Sequence, residues 1–189
     1  MKVTKEKAEE NRQQVIDTSS RLFREKGFDG VGVNTLMQAA GLTHGAFYKQ
    51  FQSKDDLIAK ATKAALDQAL QRLSSLTEKD KQASLEKAVG LYLSDQHRNG
   101  VADGCAFAAL GPDVARHGPE ARRVMQHGIE EQLALLESVV ETEKNISNRE
   151  EAIATMATMV GAMVLARAVE NKALSSEILD AAAKSILTK

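Results

Sequence analysis

Apolar residues in this chain recur at spacings of three and four from one end to the other, and no stretch alternates as a half-buried strand does. Ala8, Val15, Ile16, Leu22 and Phe23 share one face of a helix expected over 8–26, with Gly27 as its stop. Val33, Leu36, Met37 and Ala40 predict a shorter helix over 33–40, ended by Gly41. Thr43 is placed to cap the next helix, and Leu42 and Phe47 have hydrophobic-staple spacing around that cap. On this third helix Phe47 and Phe51 fall on one face and Gly45 and Lys49 on the other, with Tyr48 and Gln50 on the flanks.

Beyond Phe51, Ser53-Lys54-Asp55-Asp56 has the form of a capping box. It opens a long helix carrying Leu57, Ile58, Ala61, Ala65, Ala69 and Leu73 inward. A C-terminal body is expected from near residue 80. Its first helix, over 83–96, places Leu85, Ala88, Val89 and Tyr92 on one face, and Asn99-Gly100 and Asp103-Gly104 mark a loop. Gly111-Pro112 and Gly118-Pro119 each read as a helix start with proline at the first position, the second running to about 141 with Val124, Ile129, Leu133, Leu136 and Val140 inward. Such breaks suit a segment that wraps a cavity.

Ser147-Asn148-Arg149-Glu150 is a second capping box, and the helix it opens, to about residue 169, is apolar around nearly its whole circumference. Ser175 is expected to cap the last helix, which carries Ile178, Leu179, Ala182 and Ile186. Two adjacent helices with this much apolar face predict a homodimer, with Met156, Met159, Val160, Met163, Ile178 and Ala182 at its contact.

Two prolines and few aromatic residues among 189 strengthen the all-α assignment. The net charge of -1 divides unevenly. Residues 1–53 hold eight Lys or Arg against six Asp or Glu, and 54–189 hold seventeen against twenty. That sign fits a mildly basic N-terminal head on a neutral-to-acidic body. The basic arm over 1–7 is expected to be loosely ordered. A single cysteine, a charged N-terminus and a longest apolar run, 159–166, far below the roughly 20 residues that span a bilayer predict a cytoplasmic protein off the membrane. His44, His97, His117 and His127 show no ligand spacing, so no metal or other cofactor is expected, and no catalytic constellation is found.

A short helix, a glycine turn and a second helix with a small, polar and basic outer face make a helix-turn-helix, although a helical hairpin inside another bundle shares the turn. Residues 12–57 resemble the DNA-binding domain of the TetR family of bacterial transcriptional regulators. The resemblance lies in Gly27-Phe28, Ala39-Ala40-Gly41-Leu42-Thr43, Gly45, Phe47-Tyr48, Phe51, Ser53-Lys54 and Leu57. It departs at Gly32, where the family has Ser or Thr, which leaves the second helix a weaker cap or one from Asn34.

The resemblance implies a three-helix head over 1–53, joined by a long helix to a ligand-binding and dimerisation body over 54–189. It implies that His44, Gly45, Ala46, Tyr48, Lys49 and Gln50 line the DNA groove, with Thr43, Tyr48, Lys49 and Lys54 positioned on phosphate. It implies a homodimer on a near-palindromic double-stranded operator, acting as a repressor that an inducer releases. Cys105, Tyr92, Phe107, Leu110, Met125 and Ile129 are the candidate pocket residues, and their apolar character suggests a small hydrophobic or electrophilic inducer.

Cys105 stands either as a small buried hydrophobe or as a sensor thiol, favoured as thiolate by a helix start and opposed by Asp103. Two other classes remain in view. One is a helical interaction module without DNA binding; the other is an enzyme using Cys105 as nucleophile with His117 or His127 as its base.

Overall fold

Thr4 opens the first helix, its hydroxyl accepting from the Lys7 amide, so the helix begins ahead of Ala8 and leaves Ala8 exposed on its outer side. The computed structural model describes residues 4–76, 81–140 and 147–188. Lys2 of the basic arm and the expected start of the body near residue 80 lie outside the described residues.

Among the described residues the elements are α1 Lys5–Lys26, α2 Val33–Ala39, a short 3-10 helix His44–Lys49, α3 Lys54–Ser74, α4 Lys81–Tyr92, α5 Asp95–Asn99, α6 Ala106–Arg116, α7 Pro119–Val139, α8 Asn148–Ala168 and α9 Lys172–Leu187. No strand occurs among them. The all-α class and its N-terminal helix-turn-helix hold.

Several boundaries differ from expectation, each for a local reason. The helix expected over 83–96 breaks after Tyr92, because Ser94 turns extended and caps α5 through the His97 amide. Pro112 does not begin a helix but lies inside α6, whose first residue follows Cys105. Proline inside a helix costs about 3 kcal/mol; here Leu110 and Val114, on either side of it, are buried and hold the helix in place. Ser175 caps nothing. Asn171 caps α9 through the Ala173 and Leu174 amides, while the buried Ser175 hydroxyl donates to the Ala166 carbonyl at 2.6 Å and ties α9 to α8. At Ser147 the reciprocal capping box is complete. At Ser53 the hydroxyl caps Asp56, whose carboxylate instead accepts from the Gln52 amide at 3.1 Å.

Two apolar cores organise the molecule. The first gathers Val15 and Phe23 of α1, Leu36 and Met37 of α2, Phe47, Phe51, and Leu57 to Leu66 of α3, then continues into Leu110, Val114, Ala121 and Met125 of α6 and α7. The second joins Leu85 and Val89 of α4, Leu133 to Val140, Met159 and Met163 of α8, and Leu179 and Ile186 of α9. The boundary suggested at residue 53 therefore meets no gap in packing.

Helix α3 lies along α7. At Gly128 the two approach so closely that an added Cβ would stand 2.8 Å from Leu66 Cδ1. Helix α8 is long and apolar enough to cross a membrane by length and composition, with mean hydropathy 1.3, yet 39% of that window is buried inside this chain.

Candidate DNA interface and ligand cavity

The turn before the 3-10 helix depends on Gly41, whose φ of +70° is the left-handed region that favours glycine. The Leu42 amide then bonds the Met37 carbonyl at 2.8 Å and closes α2 against the turn. Thr43 occupies the cap position in extended conformation, but its hydroxyl makes no cap bond, contrary to expectation. The tight helix is held from below. Phe47 and Phe51 are buried and stacked at 5.5 Å, and Leu42 packs on the same core.

The outer face is what this anchoring leaves over. Thr43, His44, Gly45, Tyr48 and Lys49 are exposed. Tyr48 is 68% exposed and stands edge-on to His44 and Phe47. A Cβ on Gly45 would meet nothing within 4 Å, so packing inside the chain does not require a glycine there. Ala46 is half-buried against the core. Gln50 is half-buried too, and its Oε1 is buried without a partner among the described residues. Lys54 has an acceptor of its own, the Phe28 carbonyl at 2.6 Å.

The head is fastened to the body by bonds that run from α1, the loop after it and α3 to α6 and the loop before it. The Phe28 amide donates to Asp113 Oδ2 of α6 at 3.0 Å. Arg21 pairs with the Asp103 carboxylate. Arg24 Nε donates to the Ala102 carbonyl at 2.6 Å, and Arg72 donates to the Asp103 carbonyl at 2.6 Å. His117, one of the histidines considered as a base for Cys105, packs edge-on against Phe28 at 4.9 Å. His127, the other, is exposed and lies 3.6 Å from Glu131.

Between α3, α4, α6, α7 and α8 lies a cavity of about 550 Å³. Of the candidate pocket residues, Tyr92, Cys105 and Phe107 line it. Leu110 and Met125 belong instead to the first core, and Ile129 packs between the two cores. Arg24, Arg72 and His97 also line it, as do Met156, Met159 and Val160, three of the residues expected at a dimer contact. Met163 and Ala182 are buried within this chain as well, and Ile178 packs on the second core. The apolar side chains left outward on α8 are others: Ile153, Val164 and Leu165, at 47%, 39% and 57% exposure, with Leu174 of α9 at 43%.

Cys105 occupies the cap position of α6 and is 5% exposed. Burial raises its thiol, outweighing the opposing pull of the nearby Tyr92 hydroxyl and the α6 amides. The Tyr92 hydroxyl is itself buried and pushed well up by burial, with the thiol as its polar neighbour. The histidine nearest Cys105 is His97, whose Nδ1 lies 2.6 Å from the Tyr92 carbonyl and whose Nε2 accepts the Cys105 amide at 2.9 Å. That pairing fixes a neutral imidazole with its proton on Nδ1, in line with the downward shift that burial causes. Neither ring nitrogen is free to take a proton from the thiol. Among the described residues no three His, Cys, Asp or Glu side chains gather as metal ligands.

Residues 15–61 match the model for bacterial regulatory proteins of the tetR family. Among curated proteins, the chain is 39% identical over 57 residues to the HTH-type transcriptional regulator AcrR of Shigella flexneri, covering 30% of this chain and 26% of that one. It is 29% identical over 90 residues to the uncharacterized HTH-type transcriptional regulator YerO of Bacillus subtilis, covering 46% of this chain and 31% of that one. These matches span between a quarter and a third of those relatives. The HTH-type transcriptional repressor NemR of Escherichia coli is 24% identical over 135 residues, 70% of this chain and 68% of its own. In structure, the reduced form of E. coli NemR superposes with TM-score 0.82 at 22% identity, covering 95% of this chain and 96% of that one. A TetR transcriptional regulator from Chloroflexus aurantiacus gives TM-score 0.83 at 23% identity, covering 97% and 95%. At these identities the two structures speak to the fold.

Proposed function

We propose that this chain, a member of the tetR family of bacterial regulatory proteins, is a DNA-binding transcriptional repressor that works as a cytoplasmic homodimer and leaves its operator when a small molecule fills the cavity. The observation that carries the reading is the division of the 3-10 helix into a locked inner face and a free outer one. Phe47 and Phe51 fix its pose, while Thr43, His44, Gly45, Tyr48 and Lys49 are left to solvent. A side-chain-free position at Gly45, with no packing reason for it, suits close approach of a DNA backbone.

Lys49 and Tyr48 are the phosphate and groove contacts in this reading, with Ala46 and the Gln50 amide at its inner edge. Lys54 would reach phosphate only by leaving the Phe28 carbonyl. Ile153, Val164, Leu165 and Leu174 supply the dimer face. Two copies would set their reading helices in successive major grooves, roughly 34 to 36 Å apart, on a near-palindromic site. A ligand that prefers the DNA-incompetent arrangement lowers operator affinity by its differential affinity for the two. Non-covalent filling is favoured over modification of Cys105, because burial holds that thiol protonated.

The test is binding of the purified protein to fragments from around its own gene across a salt series, with and without an electrophile, for wild type and Cys105→Ser. Saturable, strongly salt-dependent binding supports the regulator, since counterion release accompanies phosphate contact. No binding at low salt refutes it. Release by the electrophile in wild type but not in Cys105→Ser would move the switch to the thiol.

A further inference from the structure

One end of the cavity carries more positive charge than its own residues balance. Arg24 of α1 is 4% exposed, yet it lines the cavity, and its one hydrogen bond among the described residues runs from Nε to the Ala102 carbonyl. It makes no ion pair within that set. Arg72 stands at the rim of the same end and spends its hydrogen bond on a backbone carbonyl, that of Asp103. Among the described residues the single carboxylate lining the cavity is Asp103, and it is already paired with Arg21. Three guanidinium groups thus share one carboxylate. The other titratable groups on the wall add no negative charge: His97 is held neutral by two backbone partners, and Cys105 and Tyr92 stay protonated.

With only Nε bonded among the described residues, and neither terminal nitrogen sealed from solvent, the Arg24 guanidinium keeps donors open to whatever enters the cavity. The rest of the wall is mostly apolar, Leu73, Leu76, Met156 and Val160 among it, with Gln68, Gln96 and Gln132 as polar members. The volume of about 550 Å³ lies within the usual span of small-molecule sites, roughly 300 to 1,000 Å³. We infer that the cavity binds an amphiphilic carboxylate, its head group between Arg24 and Arg72 and its apolar part along Leu73, Leu76, Met156 and Val160. The planar fork of arginine suits a carboxylate better than a neutral polar group, because both oxygens can be met at once.

The inference rests on the ligand-cavity reading above and adds a route to the head. Arg24 belongs to the helix whose Val15 and Phe23 build the core under the reading helix. A carboxylate that engages Arg24 competes with the Ala102 carbonyl, one of the bonds fastening α1 to the loop before α6.

The test uses the full chain and three probes of equal length below their micelle-forming concentrations: decanoate, decan-1-ol and decylammonium. Calorimetric titration is run on wild type, Arg72→Gln and Arg24→Gln, each first checked for native helix content. Wild type is expected to bind decanoate at least tenfold more tightly than decan-1-ol and to bind decylammonium weakest. Both variants are expected to lose that preference while keeping decan-1-ol affinity within about twofold, the apolar wall being unchanged. Should Arg24→Gln not fold, Arg72→Gln at the rim decides alone. Equal binding of decanoate and decan-1-ol by wild type, or a preference that survives in a folded variant, overturns the carboxylate assignment and leaves the ligand cavity standing. Failure of all three probes to bind, with operator binding intact, overturns the cavity reading as well.

Discussion

Replacing Asp113 by alanine isolates the joint between head and body. Asp113 lies on α6 with its side chain 26% exposed, and its Oδ2 accepts the amide of Phe28, a residue with no exposure at all. A hydrogen bond to a charged group contributes about 1.5 to 3 kcal/mol, and partial exposure places this one toward the lower end, about 1.5 to 2 kcal/mol. For a chain of this size 1 kcal/mol moves Tm by about 2 to 4 °C, so Asp113→Ala should melt roughly 3 to 8 °C lower. Asp113→Asn keeps an acceptor and should lose about half as much.

Gly27 supplies an internal control. Its φ of +73° with ψ of 169° is a region essentially reserved for glycine, and an added Cβ would lie 2.7 Å from Asp113 Oδ2. Gly27→Ala thus carries backbone strain of about 1 to 3 kcal/mol plus a clash that vanishes once Asp113 is alanine. The double variant should be more stable than the sum of the singles by at least about 0.5 kcal/mol. Urea titration at one fixed protein concentration reads all four, since the proposed dimer would make the midpoint concentration-dependent. A cost for Asp113→Ala below about 0.5 kcal/mol, or strict additivity with Gly27→Ala, would refute the reasoning.

Further outcomes follow from other parts of the molecule. Lys49→Ala should weaken operator binding and lower the salt slope by about two per dimer, leaving the unfolding midpoint unchanged. Leu165→Glu should yield monomers in sedimentation at micromolar concentration, whereas Met163→Ala, emptying a fully buried site, should cost about 2 to 5 kcal/mol of stability instead. Cys105 and Tyr92 are both pushed up by burial, so above the ordinary thiol value of 9.0 the unfolded chain gives up their protons first. Stability should then fall as pH rises, and Cys105→Ala should flatten part of that fall, as urea midpoints between pH 7 and 10.5 would show.

The reading head could be drawn from spacing alone, because staple, turn glycine and paired phenylalanines are all local. What escaped is long-range. Pro112 beside Gly111 reads as a helix start; that it sits mid-helix depends on Leu110 and Val114 being gripped by other elements. Arg24 follows Phe23 and reads as a solvent residue, since nothing nearby in sequence announces that α1 turns this flank toward a cavity. Helix α8 is apolar all round, so periodicity could not separate the side carrying Met156 and Met159, which lines the cavity and core, from the side carrying Ile153 and Leu165. Tyr92 and Cys105 were found through their chemistry and lie 13 positions apart. His97, which joins them through the backbone, gave no signal of its own.

The first core runs unbroken from Val15 to Met125, through two segments far apart in sequence. An exchange of heads between such regulators, made at the end of the third helix, would cut that core and part Val15, Phe23 and Phe28 from the α3, α6 and α7 side chains that complete it. A hybrid that folds must bring Leu110, Val114, Ala121 and Met125 along with its new operator specificity, or choose a donor whose side chains fill the same volumes. Inheritance of these two segments is therefore coupled, and recombination at the apparent domain border produces misfits.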